Sequence, residues 1–130
     1  MEDKLLFKEL TYKLRGLLFA VHNELGQYLN EKQYGDALEQ KLKENNIIYE
    51  REKVLPASFK GEHKGRNKID FLIDNKIILE LKHVSGLSKD DYFQCKRYLS
   101  SLKLELALLI NFRTRYLMIN RILNTVNYHP

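Results

Sequence analysis

The stretch Ile69-Asp70-Phe71-Leu72-Ile73-Asp74-Asn75-Lys76-Ile77-Ile78-Leu79-Glu80-Leu81-Lys82 decides how this chain folds. Two runs rich in Ile and Leu flank Asp74-Asn75-Lys76. Asn and Asp tolerate tight turns, so the pattern reads as a β-hairpin. Asp70 interrupts the first run, and Glu80 and Lys82 close the second. An unpaired polar group in an apolar strand costs roughly 2–7 kcal/mol, and a bare charge costs more. Two carboxylates and an ammonium on adjacent strands therefore suggest a compensating cation. That is the layout of a divalent-metal site for phosphodiester chemistry.

Side chains alternate along a strand, so Glu80 and Lys82 share a face and Leu81 points the other way. The register between the strands depends on the loop. A loop spanning Asp74 to Lys76 sets Asp70 opposite Glu80. A loop of Asp74-Asn75 alone sets Asp70 opposite Leu79 and puts the carboxylates on opposite faces. Both registers stay open at this level, and the metal reading requires the odd loop or a bulge.

Outward from the hairpin, helical and extended segments alternate. Leu6, Leu10, Leu14, Leu17, Leu18, Val21 and Leu25 recur at helical spacing, and Gly26 ends that helix. A second helix runs from the N-cap Asn30 to about Lys43. Ile47 to Phe59 reads as extended, with Pro56 marking an edge or bulge. Strands follow at about 66–74 and 77–84. Ser88 caps a third helix that runs to about Lys103. Strands at about Leu104–Asn111 and Tyr116–Leu123 complete the chain. The order α-α-β-β-β-α-β-β implies an α/β (α+β) fold, a mixed sheet flanked by helices.

A chain of 130 residues is one domain, long enough for a real core. It contains no run of about 18 apolar residues, so no membrane span is expected. Its start, Met1-Glu2-Asp3-Lys4, lacks the apolar block of a signal peptide, and a cytoplasmic location is the default expectation. The single cysteine, Cys95, rules out an internal disulfide and a Cys-rich zinc site. It reads as an inward helix residue. The net charge of +5 mildly favours a polyanionic partner. Lys64, Arg66 and Lys68 lead into Asp70, Lys96 adjoins Gln94, and Arg113 and Arg115 flank the last turn. Such cations would hold phosphates that an acidic centre otherwise repels.

Several segments carry a family resemblance. Asp70…Glu80-Leu81-Lys82 resembles the motif of the PD-(D/E)XK nuclease superfamily, with Ile69 in the place of its Pro. Leu25-Gly26-Gln27-Tyr28-Leu29-Asn30-Glu31-Lys32-Gln33-Tyr34 is similar to the signature of the small bacterial GxxExxY proteins, a branch of that superfamily. Glu31 and Tyr34 match it, whereas Tyr28 replaces its Gly. Gln94-Cys95-Lys96-Arg97-Tyr98 matches a Q-x-x-x-Y helix motif of related branches. Leu108-Leu109-Ile110-Asn111-Phe112 resembles the family's closing strand. The resemblance implies a restriction-endonuclease-like αβββαβ core with an extra N-terminal helix and an extra C-terminal strand. It further implies that Glu31 completes the acidic cluster, that the Leu81 carbonyl is a further metal ligand, and that cleavage leaves a 5′-phosphate.

The residue readings follow. Asp70 and Glu80 are the metal ligands, and their alternative is an ion pair with Lys82. Carboxylates without thiols suit Mg²⁺, with Mn²⁺ as the substitute. Lys82 orients or deprotonates the attacking water, or neutralises charge at the phosphate. Gln94 and Tyr98, one helical turn apart, either face the site or split between surface and core. Tyr34 supports by packing and hydrogen bonding. His22, His63, His83 and His129 show no ligand or triad spacing. The first functional expectation is a Mg²⁺-dependent nuclease acting on DNA ahead of RNA. The second is a catalytically inactive nuclease-fold module that binds nucleic acid or a protein, a reading that a Tyr28 ring narrowing the mouth of the site would favour. The third is a homodimer joined through the leucine-rich first helix.

Overall fold

Ile73 pairs with Ile77 across the hairpin turn, so three residues, Asp74 to Lys76, make the loop. The odd loop is the one realised. Asp74 and Asn75 both take positive φ, 50° and 55°, and Lys76 N–H closes the turn on Ile73 C=O at 2.9 Å. Asp and Asn adopt this left-handed backbone at lower cost than most residues.

This is a computed structural model, and it describes residues 7–124. Leu6 of the first helix and His129 lie outside the described residues. The elements run α1 (Lys8–Leu25), α2 (Glu31–Glu44), β1 (Tyr49–Val54), β2 (Lys68–Ile73), β3 (Ile77–Lys82), α3 (Lys89–Leu102), β4 (Leu106–Asn111) and β5 (Met118–Leu123). The order matches the sequence reading, and the fold is the expected mixed sheet with restriction-endonuclease-like topology. The strands line up as β1-β2-β3-β4-β5. Only β3 and β4 are parallel, because α3 carries the chain back across the sheet between them.

The strands are shorter than the sequence reading by a residue or two at their ends. The extended segment from Ile47 to Phe59 forms a strand only to Val54. Leu55 N–H adds one more bond, to Asn67 C=O at 2.8 Å, before Pro56, which has no N–H to give. Local chemistry sets the helix starts as expected. Asn30 and Gln33 form a reciprocal capping box at α2, and Ser88 and Asp91 form another at α3. Gly26 follows α1 at φ 77°, where a side chain would strain the backbone.

The core has two layers. Leu14, Leu18 and Val21 of α1, with Tyr34, Leu38 and Leu42 of α2, pack on Phe71, Ile73, Leu79 and Leu108. On the other face, Cys95 and Leu99 of α3 pack on Leu72, Ile78, Ala107 and Leu109. Every residue of β4 is buried, as a strand covered on both faces must be. Tyr34 has the supporting role expected. Its ring stacks on Phe112 with centroids 4.2 Å apart. Its hydroxyl donates to Gly26 C=O at 2.6 Å and accepts from Leu29 N–H at 3.2 Å.

These contacts rank two substitutions. Leu79→Ala should cost about 2–5 kcal/mol through lost burial and a residual cavity. Tyr34→Phe keeps the ring and should cost only about 0.5–1.5 kcal/mol, since the half-exposed turn can turn to water. Urea unfolding of both variants checks the order, and a larger loss for Tyr34→Phe would contradict it.

Candidate active site

The β2–β3 ladder opens where the carboxylates stand. Its paired residues end at Phe71 and Leu79. One step further in the same register, Asp70 faces Glu80, and side chains replace the ladder. Glu80 Oε2 accepts from Asp70 N–H at 2.8 Å, and Asp70 Oδ2 accepts from Leu81 N–H at 2.7 Å. Each carboxylate thus satisfies a backbone donor of the opposite strand. A carboxylate offers about four lone-pair sites, so accepting one N–H leaves capacity for a cation.

The neighbouring strand pair changes at the same level. Phe71 and Ile73 pack toward α1 and α2, yet Ile69 joins the layer under α3, as does Leu55 across from Asn67. Regular alternation would keep Ile69 and Phe71 on one face. The switch falls between the pairs Arg51–Phe71 and Lys53–Ile69, where Glu52 takes a positive φ of 53°. Asp70 sits at this switch.

Burial and like charge set the electrostatics. Glu80 is buried, and desolvation together with the Asp70 carboxylate pushes it up from 4.5 to about 8. Asp70 is also raised, first by burial and then by Glu31 and Glu52, against the Leu81 N–H and Lys82. Cys95, under Glu80, is pushed up to about 12 by burial and by that carboxylate, so its thiol is inert.

Lys82 and the α3 residues form one network. Lys82 Nζ donates to Gln94 Oε1 at 3.1 Å and lies 3.7 Å from Asp91 Oδ1, whose partner oxygen caps the helix. Burial raises the Tyr98 hydroxyl, and Gln94 and the Lys68 backbone draw it partly back. Gln94 and Tyr98 therefore both belong to the site's surroundings, joined to it through Lys82.

A cleft of about 170 Å³ opens in front of Asp70, bordered by Glu31, Lys32, Arg51, Glu52, Lys68 and Leu81. Glu31, in the first turn of α2, accepts from His83 N–H at 3.2 Å. Lys68 reaches Glu52 at 3.3 Å. Lys64 and Arg66 lie exposed on the loop leading into β2, and Lys96 lies on α3 away from the residues bordering the cleft. Tyr28 is 84% exposed and does not border the cleft, so it does not narrow the site as the sequence reading allowed. Two of the histidines have structural partners: His22 bonds Thr114 C=O at 2.9 Å, and His83 bonds Gln27 C=O at 2.7 Å.

Sequence reasoning missed Lys32, Arg51 and Glu52. Lys32 adjoins Glu31 inside the quoted signature, a signal that was present. The other two depend on the β1–β2 register, which the long intervening loop hides. Arg51 Nη1 reaches Asp36 at 2.6 Å and Glu39 at 3.0 Å, and Nη2 reaches Lys32 C=O at 3.4 Å. A Cβ at Gly35 would come within 2.6 Å of Nη2, so a larger residue there would push the guanidinium aside.

Among the described residues, no three His, Cys, Asp or Glu side chains converge as a cation cage. Mg²⁺ commonly takes one or two carboxylates, with water and substrate phosphate completing its shell. Half-buried Asp70 and buried Glu80, mutually repelling, fit that donor set. A family model of the PD-(D/E)XK nuclease superfamily matches residues 8–122. No curated protein and no solved structure matches the chain.

The raised carboxylates make stability depend on pH. The folded chain keeps a proton on Glu80 that the unfolded chain releases near 4.5. This contribution is full below pH 4.5 and is lost as pH rises through about 8. The metal-free melting temperature should fall across that window, and Glu80→Gln should flatten the fall. A wild-type profile that rises between those limits, measured without divalent ions, would refute this placement of the charge.

Proposed function

This chain belongs to the PD-(D/E)XK nuclease superfamily, and from that premise we propose that it is a Mg²⁺-dependent nuclease with DNA as its first substrate. The observation that carries the reading is the contact of half-buried Asp70, which lines a cleft bordered by Lys32, Arg51 and Lys68, with buried Glu80 on the opposite strand. Two like charges raised by burial are stabilised by a divalent cation, and the surrounding cations suit a phosphate. The Glu31 and Tyr34 spacing supports the GxxExxY branch.

Asp70 and Glu80 would hold the ion, with the Leu81 carbonyl as a further ligand and Glu31 joining only if it swings in from its bond to His83 N–H. Bound Mg²⁺, or Mn²⁺ in its place, supplies an activated water and neutralises phosphate charge. Lys82 places its ammonium against the charge that develops on the phosphate oxygens. Gln94 fixes that ammonium through its 3.1 Å hydrogen bond, and Tyr98 stands beside it one turn along α3. Lys64, Arg66, Lys68 and Lys96 engage flanking phosphates. Water attacks phosphorus, the bond to the 3′ oxygen breaks, and that oxygen takes a proton. The products are a 5′-phosphate and a 3′-hydroxyl.

Labelled DNA and RNA incubated with Mg²⁺ or Mn²⁺ test the reading. EDTA should stop cleavage. Lys82→Ala should slow it by about 10²–10³-fold. Asp70→Asn, Glu80→Gln and the double variant should lose similar amounts, because the two residues act as one unit. Titration calorimetry should show Mg²⁺ binding to the wild type and none to Asp70→Ala. Cleavage that survives Asp70→Asn at wild-type rate would sink the assignment.

A further inference from the structure

Five aromatic side chains in the described residues are more than half exposed: Tyr12, Tyr28, Phe59, Phe93 and Tyr116. Single exposed rings are ordinary on a protein surface. Their distribution is the informative point. Tyr12 lies on the first half of α1, whose start adjoins Lys76 at the hairpin turn, far from the carboxylates in the sheet. The other four lie at the carboxylate end.

The topology places them there. Lys82 at the end of β3 pairs with Asn111 at the end of β4, so the loops after both strands emerge together. Tyr116, 75% exposed, lies in the loop after β4. Phe93, 53% exposed, adjoins Gln94 on α3. The start of β2 is antiparallel to β3, which brings the loop before Lys68 to the same end, with Phe59 64% exposed upon it. Gln27 bonds Arg113 C=O at 3.0 Å, which ties the turn bearing Tyr28 to the loop bearing Tyr116.

The segments that carry three of these rings are pinned. The Phe59 turn is held by Ser58 N–H on Glu62 Oε1 at 2.6 Å and by Asn67 Nδ2 on the same oxygen at 2.9 Å. The Tyr28 turn is fastened on both sides by the Tyr34 hydroxyl. Thr114 Oγ1 bonds the Tyr116 carbonyl, and the Arg115 guanidinium lies 5.4 Å from the Tyr116 ring centroid. Cations are interleaved with the rings. Lys60, Lys64 and Arg66 share the Phe59 loop, Lys32 follows Tyr28, and Arg113 and Arg115 precede Tyr116.

Ordered rings among cations are the combination that holds unpaired bases and their phosphates. A duplex keeps its base faces stacked inside and shows only edges and backbone to a protein. We propose that the carboxylate end of this domain binds single-stranded nucleic acid, with Tyr28, Phe59, Phe93 and Tyr116 stacking on bases and the interleaved Lys and Arg holding phosphates. The proposal rests on the nuclease reading and narrows its substrate to unpaired strands.

Fluorescence anisotropy in EDTA tests it, using labelled oligothymidylate and the same strand annealed to oligoadenylate. The single strand should bind at least about tenfold tighter. Phe59→Ala and Tyr116→Ala should each weaken it by roughly 5- to 100-fold at unchanged salt slope. Tyr12→Ala at the far end should leave it unchanged. All three positions are exposed, and a thermal melt confirms that each variant is folded. Equal or tighter duplex binding, or ring variants without effect, overturns the proposal, and Mg²⁺-dependent duplex cleavage would then leave the nuclease reading standing. Ring-dependent binding of the single strand without cleavage of any substrate would overturn the nuclease reading alone. Binding of neither form overturns the proposal.

Discussion

The closeness of two carboxylates, half-buried Asp70 and buried Glu80, is the constraint around which this domain is arranged. Withdrawing a carboxylate from water is costly, and together the two repel. The backbone answers first, since each carboxylate takes an N–H of the opposite strand where a ladder bond would otherwise lie. The surroundings answer next. Lys82 stands on the face of Glu80, steadied by Gln94 and Asp91, while Lys68 approaches from the edge through Glu52. The rest of the imbalance is a standing demand for positive charge, which a metal ion and its substrate can meet.

The remainder of the structure makes that imbalance affordable. β4 is buried along its whole length between helical layers, and Phe71, Leu79 and Leu108 lock β2, β3 and β4 to α1 and α2. A sheet packed on both faces is stiff, so polar groups at its end are held in place without contributing to the packing. The longer loops, 55–67, 83–88 and 112–117, collect at that end, and the far end carries only short connections such as the Asp74-Asn75-Lys76 turn. The positive φ of Glu52 belongs to the same pattern, since local backbone strain persists where the surrounding structure enforces it. Glu52 is held between Arg51 and Lys53, which pair with Phe71 and Ile69 of β2.

Arg51 shows how packing and the site are joined. It lies over the Phe71 ring at 5.5 Å, pairs with Asp36 and Glu39, and borders the cleft as well. Gly35 gives it room. Tyr49, on the same strand, donates to Glu39 at 2.7 Å, and its hydroxyl is pushed up to about 12 by burial and by that carboxylate. One wall of the cleft is therefore a chain of ion pairs between α2 and β1, set by contacts distant in sequence.

The sequence by itself determined the element order, the helix caps at Asn30 and Ser88, and the candidate acids Asp70 and Glu80. These are local matters: periodicity fixes which residues face inward, cap chemistry fixes where helices start, and a charge inside an apolar run is visible without knowing its neighbours. The hairpin register was narrowed to two choices, and the left-handed backbone at Asp74 and Asn75 with the Ile73–Ile77 pairing selected one. Only the tertiary structure decided that Glu52 and Arg51 lie beside Asp70, because a loop from Leu55 to Asn67 separates their strands and carries no register signal. Only it decided that Tyr28 points into solvent and that Tyr28, Phe59, Phe93 and Tyr116 gather at one end of the sheet. Such positions arise from the pairing of strands and the docking of helices, which depend on contacts between residues far apart in the chain.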